Sequence, residues 1–308
     1  MVHVCNYRFM TSPETELFRK YVDPDFPRLE EVASTCPLVM VNFEELYALP
    51  RPMLHKVVYI GGLGITERSV GQFKVIADKA SNIIVFLFGS IANASEMPSS
   101  WKNAFLNSFR SFPHIEFITR YDGEDLQSKL PQNVHTYEWL PQTDLLPLIT
   151  HAGHNSIIEA VNAGVPMIAI PLFVDQPMNA LLAEKRHFGI LLQKSQVSEE
   201  ALKEAIKTLT EDESYAKAVK HVQKMIQKKP SKPEELLVRW TEYVGKFKDL
   251  SNLTPYSVKL NFIQYYSIDV IFFIVLVLSL IIIATFKISL FIVTCLRKLF
   301  LLKKEKTS

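Results

Sequence analysis

The stretch THAGHNSIIEA, Thr150 to Ala160, places His151 and His154 at H-x-x-H spacing with Gly153 between them. An amphipathic helix pattern follows. Three chemistries fit these residue types. Two imidazoles can ligate a metal when one helix carries both and a third ligand joins them, and the glycine turn between them counts against that. A helix that starts near Asn155 offers unpaired N–H groups and the positive end of its dipole, which together bind an anion such as a phosphate. In that reading Gly153 lets a ligand approach the backbone and His151 donates to an anionic oxygen from the strand end. Glu159, one turn inside the helix, accepts from a hydroxyl. The third reading is a chemically silent strand-to-helix turn with Asn155 as the cap. These residues alone leave the choice open.

Two other strand ends carry suitable groups. The apolar run NIIVFLF ends in Gly89-Ser90, a small residue and a hydroxyl that suit close approach of a phosphate. The run MIAIPLF leads to Asp175-Gln176, a carboxylate and an amide suited to the vicinal hydroxyls of a sugar or, for Asp175, to a helix N-cap.

The elements that must position them alternate. NIIVFLFGS is continuously apolar, as expected of a strand buried on both faces. MPSSWKNAFLNSFRSF repeats Trp101, Ala104, Phe105, Phe109 and Phe112 at helical spacing. HIEFITRY, NVHTYEWLP, LITH and VPMIAIPLF read as strands. NSIIEAVNAG reads as a helix ending at Gly164, and DQPMNALLAEKRHFG as one closed by Gly189. Alternation over 82–193 implies a parallel sheet covered by helices, with strand ends and helix starts converging on one ligand-binding edge. Before it, Leu38 to Val41 and Val57 to Ile60 read as short strands in an otherwise mixed stretch. Beyond 197 only helices are expected: one capped by Ser198, one stopped by Pro230, and KPEELLVRWTEYVGKF.

A chain of 308 residues with 48% apolar content can bury a sizeable core, and a net charge of +2 points away from nucleic acid. Cys5, Cys36 and Cys295 lie too far apart to suggest a disulfide framework or metal set. The first residues show no signal-peptide pattern. Near the other end, VIFFIVLVLSLIIIATF runs uncharged between Asp269 and Lys287, and ISLFIVTCL extends it. That predicts one transmembrane helix, with Lys287 snorkelling and Tyr265 and Tyr266 at the interface. Arg297, Lys298, Lys303, Lys304 and Lys306 put the tail in the cytosol. The ending KEKTS resembles a dilysine retrieval signal of endoplasmic-reticulum membrane proteins and equally an ordinary basic stop-transfer tail. Asn93-Ala94-Ser95 and Asn252-Leu253-Thr254 are glycosylation acceptors that fit a lumenal body.

Spacing joins the three strand-end features. WLPQTDLL…THAGHNSIIEAVNAGVPMIAIPLFVDQPMNA resembles the donor-binding signature of the UDP-glycosyltransferases, and most closely the membrane-bound UDP-glucuronosyltransferases, nematode-type members included. FPRLEEVASTCPLVMVNFEELYALPRPMLHKVVYIGGLGI, the FGS strand end, WKNAFLNSF, KP-x-E-E and LNFIQYYSIDV carry the likeness over essentially the whole chain. The resemblance implies an α/β fold: the Rossmann-like C-terminal domain of a GT-B glycosyltransferase, followed by helices and one C-terminal transmembrane helix. The expected divisions are 1–70, a remnant of the N-terminal domain and linker; 71–250, the donor-binding domain; 251–268, a juxtamembrane linker; 269–296, the transmembrane helix; and 297–308, a basic cytosolic tail.

The resemblance also implies roles. Trp139 would stack on the uracil and Gln142 bond near the uridine. Ser90, His151 and the Asn155 backbone would hold the diphosphate, Glu159 the ribose, and Asp175 and Gln176 the sugar. His154 would be only a neighbour. Neither a metal nor a cofactor is expected, with the UDP-sugar as co-substrate. The implied activity is transfer of a hexosyl or glucuronosyl group to small lipophilic acceptors at the endoplasmic-reticulum membrane. Partners would be the membrane and full-length family members in homo- or hetero-oligomers.

Two departures from the family pattern temper this. The half that carries the acceptor pocket and the histidine general base is expected to be missing, and none of the eight histidines matches that base, so no catalytic residue is assigned in the chain. The linker between Leu146 and Ile149 is only Pro147-Leu148, shorter than the family's, which shortens the path from Trp139 to His151. The alternative function is therefore a catalytically silent, membrane-anchored donor-binding fragment or partner. Lacking a signal peptide, the chain could also insert as a tail anchor with its body in the cytosol, against the family's lumenal body.

Overall fold

The structure is a computed structural model that describes residues 2–65, 82–89, 92–138, 140 and 148–305. Two compact units divide the chain, residues 1–250 and 251–308.

In the first unit, β1 (Val39–Val41) and β2 (Val57–Tyr59) pair in parallel as a two-stranded sheet. The main sheet comprises β3 (Asn82–Leu87), β4 (Ile115–Arg120), β5 (Val134–Tyr137), β6 (Leu148–Thr150), β7 (Met167–Ala169) and β8 (Gly189–Leu191). All its pairs are parallel, in the order β5-β4-β3-β6-β7-β8. The chain winds outward from β3 to β5, then returns to the other side of β3 and winds outward to β8. Strand order therefore reverses between β3 and β6, and the crevice at such a point is where ligands bind in open parallel sheets.

Period-two alternation sorts the side chains of β3 onto two faces. Ile84, Phe86 and Phe88 join Phe117, Ile149 and Ile168 in one core, under the helices Ser99–Arg110 and Glu199–Glu211. Val85 and Leu87 join Ile118, Leu148 and Met167 in the other, under the helices His154–Ala163, Gln176–Lys185 and Glu213–Gln227. Both faces are covered, so the strands can be apolar throughout. Phe86 stacks on Phe105 at 4.3 Å and Phe109 on Phe117 at 4.0 Å between ring centroids. Each such buried ring stabilises the fold by about 1.5–3 kcal/mol.

Local signals end the helices where expected in several places. Gly164 closes His154–Ala163 in the left-handed conformation at φ 69°. The Ser198 hydroxyl accepts from the Ala201 N–H at 3.2 Å. Three expectations are corrected. Gly189 does not close a helix: Gln176–Lys185 is capped at Arg186, and Gly189 opens β8, packed so tightly on Met167 that a Cβ there would sit 2.7 Å from the Met167 side chain. Its strand is three residues long, too short for a periodic signal. The mixed N-terminal stretch contains a 20-residue helix, Val2–Tyr21, whose weak apolar period and internal Pro13 concealed it. The strand in VPMIAIPLF stops at Ala169.

In the second unit, Ile268–Glu305 is one helix of 38 residues. Its stretch Ile268–Leu296, 29 residues, is long and apolar enough to cross a membrane.

Candidate functional site

The carboxyl ends of β3 and β6 lie side by side, with Leu87 paired to Thr150. Gly89 follows at φ 77°, a conformation that costs glycine little. A Cβ on Gly89 would stand 2.6 Å from His151 Cε1 and 2.8 Å from Nε2, and a Cβ on Gly153 would stand 2.9 Å from the same Cε1. The imidazole of His151 thus fills the room that two glycines leave. Gly153 was expected to admit a ligand to the backbone, and the space a Cβ would take there holds the His151 ring. Burial pushes the His151 pKa below its usual value, an effect that the Asp175 carboxylate opposes.

The chain then turns sharply. Ala152 is fully buried at φ 61°, a left-handed conformation that costs a non-glycine residue about 1–2 kcal/mol. Two hydrogen bonds hold it. Its N–H donates to Thr150 Oγ1 at 3.3 Å, and its carbonyl accepts from Asn179 Nδ2 at 3.1 Å. This turn lets His154–Ala163 begin with Gly153 as its N-cap and with no side chain capping it. Asn155 is the second residue of that helix and exposed, so the cap that the silent-turn reading gave to Asn155 is Gly153. The first-turn N–H groups and the dipole's positive end are therefore open to an anion.

Glu159 lies on the same helix, and burial raises its pKa above the usual carboxylate range. His154 is engaged elsewhere. Its Nε2 donates to the Asn42 carbonyl, and its ring stacks on Phe43 at 4.9 Å and 6°. Among the described residues, no three of His, Cys, Asp and Glu gather as a metal-ligand set.

A second helix start faces the same edge. Asp175 occupies the N-cap position of Gln176–Lys185, yet its side chain caps no backbone N–H. Its Oδ2 instead accepts from Asn179 Nδ2 at 2.7 Å, and the residue is exposed. Gln176 is buried, and its Oε1 accepts from the N–H groups of Leu172 (2.8 Å) and Phe173 (3.0 Å). The loop before it is strained at Val174, a β-branched residue at φ 57° that is 87% exposed.

His151, Gly153 and the Asn155 turn come together, and the field of Asp175 reaches His151. Ser90, Trp139 and Gln142 lie outside the described residues, as does Pro147 of the short linker. Two residues escaped sequence reading. Asn179 ties the Ala152 carbonyl to the Asp175 carboxylate, and only its four-residue spacing from Asp175 could have signalled it. Arg120, at the end of β4, donates to the carbonyls of Gly89 (3.2 Å) and Glu138 (3.1 Å) and borders a small cavity with Phe88, Asn93 and Asp122.

Comparison with known proteins gives the family and the fold. Residues 28–306 match the family described as UDP-glucoronosyl and UDP-glucosyl transferase. UDP-glucuronosyltransferase 1A6 of Homo sapiens is 32% identical over 258 residues, 80% of this chain and 48% of that protein. UDP-glucosyltransferase 2 of Dactylopius coccus is 28% identical over 267 residues, 84% of this chain and 51% of that protein. The Caenorhabditis elegans protein ugt-48, which carries the UDP-glucuronosyltransferase name, is 32% identical over 83% of this chain and 52% of its own length. The chain spans about half the length of the curated relatives it matches. Among solved structures, the spinosyn forosaminyltransferase SpnP superposes with a TM-score of 0.59 at 16% identity, over 72% of this chain and 59% of that one. The calicheamicin glycosyltransferase CalG4 superposes at 0.54 and 19%, over 77% and 59%. These are GT-B glycosyltransferases, and the fold is theirs. The chain belongs to the UDP-glucoronosyl and UDP-glucosyl transferase family.

Proposed function

We propose that this edge binds the diphosphate and sugar of a UDP-sugar, and that the chain provides the leaving-group side of glycosyl transfer to a hydroxyl of a small lipophilic acceptor. The uncapped start of His154–Ala163 beside a glycine-wedged His151 carries this reading. As the acceptor oxygen, giving its proton to the base that the resemblance places in the other half, attacks the anomeric carbon, the bond from that carbon to UDP breaks and negative charge builds on the departing UDP. Preorganised N–H donors and His151 stabilise that charge. Ser90 joins them, with Trp139 and Gln142 at the base and Glu159 at the ribose. Asp175 accepts from sugar hydroxyls. Gln176 is held through its oxygen, which leaves its amide nitrogen to donate to them. No metal or other cofactor is required. The names of the relatives include both glucuronosyl and glucosyl transfer, so the proposal covers a hexosyl or a glucuronosyl group.

We place the protein in the endoplasmic-reticulum membrane, with Ile268–Leu296 as its span, a lumenal body and a basic cytosolic tail. Exposed Asn93, whose Oδ1 accepts from Ser95 Oγ at 2.7 Å, would then carry an endoglycosidase-sensitive glycan. Absence of that glycan, with a body digestible from the cytosolic side of intact microsomes, would refute the orientation.

The deciding assay uses the full chain in lipid nanodiscs. Calorimetry with UDP tests the site, and UDP-glucuronate or UDP-glucose with a phenolic acceptor tests transfer. UDP binding is expected, and conjugate formation would show that the chain alone completes the transfer. UDP binding without conjugate would reduce the protein to a donor-binding partner, and no binding would remove the assignment.

A further inference from the structure

The uncapped helix start is also held by residues 42–62, part of the stretch that the resemblance gives as a domain remnant and linker. They touch both ends of His154–Ala163 and the C-cap of Gln176–Lys185. The Asn42 carbonyl can only accept, so His154 Nε2 carries the proton in that bond. Phe43 lies flat on the same ring at 4.9 Å and contacts Tyr47 at 5.5 Å. Tyr47 is fully buried in the core. At the helix's other end, Gly62 packs on Asn162, where a Cβ would stand 3.3 Å from Nδ2. The second helix, Gln176–Lys185, is fastened too: Arg186, its C-cap, donates through Nε to the Tyr47 carbonyl at 2.8 Å and through a terminal nitrogen to that of Ala48. Glu44, buried in the same segment, pairs with Lys229 at 3.2 Å.

We infer that His154 is a positioning residue for nucleotide binding, and that the 42–62 segment is a brace whose ordering is coupled to occupancy of the site. His154 is the first residue of the helix whose open N–H groups meet the anion. Its ring reaches both Asn42 and Phe43. A ligand that pulls on the turn therefore pulls on the brace, and a loosened brace lets the turn fray. The inference rests on the nucleotide reading above and deepens it.

The test compares wild type with His154→Ala, His154→Gln and Phe43→Leu in nanodiscs, using UDP as the probe. UDP affinity is read by calorimetry, and amide hydrogen exchange over residues 39–48 is read with and without UDP. His154→Ala is expected to weaken UDP binding about tenfold, and His154→Gln, which can still donate to the Asn42 carbonyl, to recover part of that loss. Phe43→Leu leaves His154 in place but removes the stacked ring, and should weaken binding in the same direction. In wild type, UDP should slow exchange in 39–48, and in His154→Ala saturating UDP should no longer do so. A helix that merely lost stability would give no such uncoupling. Wild-type affinity in both His154→Ala and Phe43→Leu, or UDP binding to wild type without protection of 39–48, would overturn the brace while leaving the donor site standing. A wild-type protein that binds no UDP would overturn both.

Discussion

Asn179 and Asp175 stand one helical turn apart, and the amide nitrogen of Asn179 donates to the Asp175 carboxylate at 2.7 Å and to the Ala152 carbonyl at 3.1 Å. One side chain thereby ties the left-handed turn after His151 to the start of the second helix. Replacing Asn179 with Ala leaves a buried carbonyl without its donor, which costs about 1–3 kcal/mol. Asn179→Ala should lower unfolding stability by that amount in denaturant titration and weaken UDP-sugar binding about tenfold. Asn179→Asp should be worse, because it sets two carboxylates side by side. Unchanged affinity in both variants would show that the tie is not used by the site.

The packing of His151 against Gly153 predicts a non-additive pair. Gly153→Ala alone drives a methyl group into the imidazole and should abolish measurable UDP binding. His151→Ala alone should also weaken it. Because His151→Ala empties the space that the new methyl needs, the double variant should be more stable than the sum of the two single losses, by a coupling of about 0.5–3 kcal/mol. Strict additivity in thermal or denaturant unfolding would contradict the packing described here.

Titration separates two half-buried ionisable groups of the site, His151 and Glu159. Burial lowers the His151 pKa, with Asp175 opposing, so the unfolded chain holds that proton more readily than the folded one. Its contribution to stability is complete above the ordinary histidine value and falls as pH drops through it. Burial raises the Glu159 pKa, so there the folded chain holds the proton more readily. Stability from that group is greatest at acid pH and is lost as pH rises through the raised value. Glu159→Gln should therefore be more stable than wild type at neutral pH, with the difference vanishing below about pH 4. A diphosphate next to His151 would raise its pKa again, so UDP-glucose binding should take up a proton as pH falls towards and below the ordinary histidine value, and should tighten with it. Calorimetry in buffers of different ionisation enthalpy measures that uptake. If His151→Gln retained it, His151 would not be the diphosphate ligand.

Val174 predicts a gain. Its left-handed conformation costs about 1–2 kcal/mol, and at 87% exposure its side chain buries almost nothing in return. Glycine adds about 0.5–1 kcal/mol of chain entropy to the unfolded state. Val174→Gly should thus stabilise the protein by a net amount of up to about 1.5 kcal/mol, whereas Val174→Ala, still left-handed, should not. A destabilised Val174→Gly would mean that the valine side chain makes the turn rather than suffering it.

Much of this protein is local and was legible as such. Continuous apolar runs between amphipathic stretches set the parallel sheet and its two covered faces, because strand burial and helix period are written in neighbouring residues. The long uncharged run before Lys287 set the apolar helix in the same way. The signature around His151, Glu159 and Asp175 identified the family, and no contact is needed to see it. The rest depended on residues distant in sequence meeting in space. Nothing near Gly89 announces that its missing Cβ makes room for His151, and nothing near Asn42 announces that its carbonyl takes the proton of His154. Asn155 looked like a cap because its side chain suits one. The turn at Ala152, held by Asn179 from another helix, moved the cap to Gly153 and left the helix start open. Type and spacing determined which groups were present at the edge. Packing decided which of them are spent on the fold and which remain free for a ligand, since a polar atom already satisfied by a distant partner has little left to offer.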